Sequence, residues 1–150
     1  MSELVIEGAP SMEKILALQS AMIKMPQAQG LVTSHFFANG MYARELHRPA
    51  GTVIVGKIHK HEHFFIVTKG EIIAWTEQGM KRMPAPYVHV SLPGTKRVTY
   101  AVVDSTAMTV HRTDSRDLDF IEAEIIEAEE GALFDARNAL KEIASEVKEN

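Results

Sequence analysis

Three histidines at alternate positions, His59, His61 and His63, are the residues of this chain best spaced to do chemistry. They lie in the run Gly56-Lys57-Ile58-His59-Lys60-His61-Glu62-His63-Phe64-Phe65. Successive side chains of a strand alternate between faces, so the three imidazoles project from one side, Lys60 and Glu62 from the other. Neutral imidazole binds divalent iron, manganese, nickel, copper or zinc well. On one straight strand the outer two rings stand too far apart to share an ion comfortably. Any adjacent pair needs no distortion, whereas all three together need a bend or a turn near Lys60. The chain has no cysteine, so a metal would be held by imidazole, carboxylate or water alone. Lys96 and Arg97 form a second candidate: of two adjacent cations only one can point inward, where it would hold an anion. Tyr87 and Tyr100 are further ligand-binding candidates, each with aromatic core packing as its plainer alternative. His35, His47 and His89 read as single hydrogen-bonded strand residues.

The 150 residues, 45% hydrophobic and 24% charged, suit one globular domain spanning 1–150. No apolar run approaches the roughly 20 residues of a membrane span. The start, Met1-Ser2-Glu3, lacks the basic and apolar character of a secretory leader, and the expectation is a cytoplasmic protein. The net charge of −4 is unevenly spread: twelve acidic and four basic residues follow position 113, whereas the preceding body is mildly basic. That distribution argues against general nucleic-acid binding, which needs a clustered basic face. It leaves room for a small anionic ligand near Lys96 and Arg97.

Pro10 and Ser11 open a helix over 11–25, with apolar residues at Met12, Ile15, Leu16, Met22 and Ile23 and Ser11 as its N-cap. After Gly30 the pattern changes to short β-prone runs at about 32–38, 41–47, 52–58, 63–68, 71–76, 87–92, 98–103 and 107–112. Turn residues bound each run, Asn39-Gly40 being a good hairpin pair. Many short strands without intervening helices indicate an antiparallel sandwich or barrel over about 31–113. Asp114, Asp117 and Asp119 then open a helical region over 117–148, divided at Gly131, with an apolar stripe at Leu133, Leu140, Ile143 and Val147.

From about Tyr42 to Thr113 the chain resembles the cupin superfamily. The residues that carry the likeness are Gly56, the overlapping His-x-His pairs at 59, 61 and 63, Gly70, and the turn Pro93-Gly94. The resemblance implies a mainly β fold: a cupin-type antiparallel β-barrel, or jelly roll, with an N-terminal helix and C-terminal helices. Counting back from Gly70 puts His63 where the family has a glutamate, and Lys96-Arg97 stand where it has a second-motif histidine. His111 on the following strand is then the imidazole that would complete a site with His59, His61 and His63. More narrowly, the pattern through His111, Thr113-Asp114 and Asp117-Leu118-Asp119 is similar to small cupin-like proteins of bacteriophages, which would act in the host cytoplasm.

Three functions follow as expectations. A metal-dependent enzyme of isomerase, lyase or oxygenase type would use Fe, Mn, Ni or Zn on these histidines and bind an anionic small molecule through Lys96 or Arg97. Glu62 and Glu71 are poor acid/base candidates for it. A non-catalytic module would capture a nucleotide or other small anion, or belong to a virion. In a third reading the histidines are structural, and the terminal helices assemble a homodimer or higher homo-oligomer.

Overall fold

The computed structural model describes residues 11–25, 28–76, 79–128, 133–135 and 137–139. Its elements are α1 (Met12–Ile23), β1 (Val32–Ala38), β2 (Met41–Arg48), β3 (Val53–Val55), β4 (His63–Lys69), β5 (Glu71–Thr76), β6 (Gly79–Pro84), β7 (Tyr87–Ser91), β8 (Val98–Ala101), β9 (Ser105–Arg112) and α2 (Leu118–Ile125). The strands form two antiparallel sheets, β1-β2-β9-β4-β7 and β3-β8-β5-β6. That is a jelly roll, as the turn spacing predicts.

Alternation decides what faces inward. Along β2 Tyr42, Arg44, Leu46 and Arg48 are buried while their neighbours are partly or fully exposed. Along β4 the buried set is His63, Phe65 and Val67. Three apolar clusters result. One gathers Leu46, Ile54, Trp75, Val98, Leu133 and Phe134 beneath Ile15 of α1. A second joins Phe65, Val67, Ile72 and Met83. The third packs Tyr42 against Ile121, Ile125 and Ile126. At the β4–β5 corner Gly70 has φ +80°, and a Cβ there would collide with Ser105 Oγ and the Asp104 carbonyl oxygen. Only glycine fits that corner.

The helices sit slightly differently from the sequence expectation. Ser11 does cap α1, its Oγ accepting from Lys14 N at 3.2 Å. The stripe on the barrel is narrower than expected, however: Ile15 and Gln19 are buried, whereas Met12 and Leu16 stay exposed. β6 lies outside the expected strands, because Gln78-Gly79 and Pro84 read as loop residues; Thr76 pairs Gly79 and β6 runs antiparallel along β5. The expected strand over 52–58 shortens to β3.

Asp117 caps α2 by accepting from Asp119 N and Phe120 N at 2.9 and 3.1 Å. The C-terminal helix then ends sooner than the expected 117–148. Ile126 is extended because the chain there pairs with the histidine segment: Lys60 N donates to Ile125 O and Glu127 N to Ile58 O. Leu133 and Phe134 follow outside any helix and enter the core. Leu140, Ile143 and Val147 lie outside the described residues.

Ile121, with no exposure, anchors α2 on Tyr42. Ile121→Ala is expected to remove about 2–4 kcal/mol by leaving a cavity, read by urea unfolding. A loss under about 1 kcal/mol would mean that α2 is not part of the cooperative core.

Candidate functional site

The clusters of Leu46 and of Phe65 meet around a cavity of about 80 Å³. Its walls include Leu46, Ile54, Phe65 and Phe134, but also Arg44 and Arg48 from β2, Lys57 and His59 from the segment before β4, and Arg97 and Thr99 at the start of β8. All four cations are at most 7% exposed. No carboxylate among the described residues lines the cavity.

Each cation is held differently. Arg97 donates from Nη1 to Ser91 Oγ at 2.7 Å and to His63 Nε2 at 3.1 Å, with its guanidinium 4.5 Å above the Phe65 ring. Arg44 Nε donates to Tyr42 Oη at 2.9 Å, and its Nη2 lies 3.7 Å from Glu122. Lys57 Nζ donates to Glu122 Oε2 at 2.9 Å and to the Asp135 carbonyl. Burial lowers the Lys57 pKa, while Glu122 pulls the other way. Arg48 has the poorest set: long bonds to Thr99 Oγ1 at 3.3 Å and Leu46 O at 3.4 Å, and no partner for Nε. Burial, and then the charge of Arg97, lowers its pKa to about 9.

His59, His63 and His111 gather beside these cations, with ring centroids 4.2, 4.9 and 5.4 Å apart. The Nδ1 atoms of His59 and His63 face the carbonyls of Lys57 and His61 at 3.1 and 2.9 Å. A carbonyl only accepts, so both Nδ1 atoms carry the proton and both Nε2 atoms are acceptors. His111 Nε2 pairs with Thr109 Oγ1 at 2.8 Å. Burial, followed by the charge of Arg97, keeps the His59 pKa well below 6.5. Burial, followed by His63, pushes that of His111 down to about 2. All this describes neutral imidazoles.

The donor set does not fit a metal ion in this arrangement. The Nε2 of His63 is engaged by a guanidinium, and a cation there repels another. The rings of His59 and His111 are 3° from parallel, so their in-plane lone pairs do not converge. Among the described residues no group of three or more His, Asp or Glu side chains could hold a metal.

The other sequence candidates are dispersed. His61 is exposed, with Nε2 3.2 Å from the Glu124 carbonyl. It leaves the face it was expected to share because residues 60–61 are a bend, with β4 beginning only at His63. The same bend brings His59 and His63 together. Lys96 is buried away from the cavity, beside Met12, Ile15 and Trp75, so Arg97 is the inward member of the pair. Tyr100 packs against the cluster under α1, and Tyr87 against that of Phe65. His35 and His47 bond Tyr42 Oη and Thr106 Oγ1 at 2.6 and 3.1 Å, and His89 is buried on β7. Sequence reasoning missed Arg44, Arg48, Lys57 and Glu122. The signal existed in β2, where Arg44 and Arg48 keep step with the apolar Tyr42 and Leu46 and so share their inward face.

This is the cupin jelly roll, and solved structures bear that out. An RmlC-like cupin from Shewanella frigidimarina NCIMB 400 matches at TM-score 0.51 and 18% identity, over 63% of this chain and 85% of that one. KdgF from Halomonas sp. matches at 0.51 and 17%, over 62% and 88%. The cupin superfamily protein DSY2733 from Desulfitobacterium hafniense DCB-2 matches at 0.51 and 6%, over 73% and 98%. Such identities establish a shared fold and nothing finer. No family profile and no curated protein matches the sequence. Among the described residues no helix is long and apolar enough to cross a membrane.

Proposed function

We propose that the chain is a receptor for small oxyanions, or for the oxyanion end of a larger molecule, taken into the barrel. One observation carries this reading: Arg44, Arg48, Lys57 and Arg97 are buried around a cavity that no carboxylate of the described residues lines. Burying a cation costs several kcal/mol unless an anion compensates it. Glu122, behind the cavity wall, offsets part of that cost for Lys57 and Arg44, and a ligand bearing two negative charges offsets more of it. Guanidinium groups present paired N–H donors that match the edges of phosphate and carboxylate. The cavity of about 80 Å³ suits a phosphate-sized group, with the rest of a larger ligand left outside. Apolar walls such as Phe65 strengthen the attraction by excluding water. His59 adds a neutral acceptor for the protonated oxygen of a ligand such as hydrogen phosphate. The likeness to small phage cupins gives such a receptor a role in sequestering a phosphate-bearing molecule in the host cytoplasm.

The alternative, an enzyme built on Fe, Mn, Ni or Zn, requires Arg97 to leave His63 and two imidazole rings to turn. One thermal-melt series on tag-free protein separates the two. Inorganic phosphate is expected to raise Tm with saturating dose dependence, by about 3 kcal/mol of added stability at 100 times Kd. The four metal ions are expected to leave Tm in place. A response to metal alone would reverse the assignment.

A further inference from the structure

The outer face of the five-stranded sheet carries an apolar row that runs from edge to edge. The strand registers align Phe36 of β1, Ala43 of β2, Val110 of β9, Phe64 of β4 and Val90 of β7 side by side. One step along the strands, Met108, Ile66 and Val88 form a second apolar row. These are not marginal exposures: Phe36 is 52% exposed, Phe64 46%, Val88 61% and Val90 46%. Monomeric proteins rarely leave contiguous apolar patches beyond a few hundred Å² in water.

We infer that this face is a two-fold interface with a second copy of the chain. Its extent is adequate. Five strands about 4.8 Å apart, presenting outward side chains over about 24 Å of strand, give roughly 500 Å² in projection. Side-chain relief enlarges that towards the about 800 Å² per partner of a stable interface. The charges are self-complementary. Glu45 stands in the second row, opposite Met108, and Arg112, opposite Met41, stands beyond the first row, about 14 Å from Glu45 along the strands. When two such faces pack with the two-fold axis running across the strands, the Arg112 end of each meets the Glu45 end of the other. Sheets pack face to face about 10 Å apart, close enough for that pairing. This puts assembly on the sheet and not on the terminal helices that the sequence suggested.

Sedimentation velocity on the full chain at micromolar concentration tests the interface. The wild type is expected at twice the chain mass. Phe64→Glu and Phe36→Glu are each expected to shift it to monomer, with an unchanged circular dichroism spectrum and phosphate response. If one variant misfolds, the other carries the test. Arg112→Glu is expected to weaken the dimer at least 10-fold, and Glu45→Arg added in the same chain to restore it. A monomeric wild type overturns the inference and assigns the face to a different partner. Dimers that survive both phenylalanine substitutions overturn it by locating the contact elsewhere. Failure of the charge swap to restore association rejects the two-fold across the strands.

Discussion

Arg48→Met is expected to make the ligand-free protein more stable while weakening its hold on phosphate about 100-fold, near 3 kcal/mol of binding energy. The two effects have one cause. In the free protein Arg48 is 4% exposed, its Nε bonds nothing, and its two other contacts are long. Burial alone lowers its pKa, and Arg97 lowers it further, to about 9. A side chain in that state opposes folding. Replacing such a buried charge by an apolar group of similar length is neutral or stabilising by about 1–4 kcal/mol. Binding reverses the sign, because an oxyanion converts the same guanidinium from an unmatched charge into a charge-assisted donor. Urea unfolding and phosphate calorimetry on one variant report both halves. A purely structural arginine predicts the opposite pair: lost stability and unchanged binding.

This trade explains why the site was only partly legible in the sequence. The barrel was legible, since turn residues and period-2 alternation are local and survive averaging. The histidines were conspicuous by type, but their faces depended on whether residues 59–63 form one strand. That is settled by a tertiary contact, the pairing of His59 with Ile126, 67 positions away in the chain. Pairing there bends residues 60–61, exposes His61 and draws His59 beside His63. His111 joins them through the β2–β9 register opposite Tyr42, again a long-range effect. The cations were overlooked for a different reason. An arginine in a strand ordinarily faces solvent, whereas Arg44 and Arg48 are buried. Arg97 was found because it stood where a ligand was expected; Arg44 and Arg48 had only their step with Tyr42 and Leu46 to mark them.

The neutral histidines give the second large effect, a loss of stability in mild acid well before the carboxylates titrate. An unfolded histidine takes up its proton near pH 6.5. In the folded protein burial keeps His111 neutral down to about 2, and His59 well below 6.5. Between those limits the unfolded state binds more protons, so stability falls as pH falls. The contribution of each imidazole is complete above pH 6.5 and declines by a little over 1 kcal/mol per pH unit below it. For His111 the loss from pH 6.5 to 4.5 is about 2 kcal/mol, and His59 adds to it in the same direction. Denaturant midpoints measured every half unit of pH should therefore slide steeply below 6.5. His111→Asn should flatten the slope, since asparagine has no proton to gain. Saturating phosphate should hold the folded state to lower pH, because the ligand binds only the folded barrel. A stability flat from pH 7 to 4.5 would mean that these imidazoles reach water or protonate inside the barrel, and the interior would then be neither dry nor unbalanced enough to act as an anion trap.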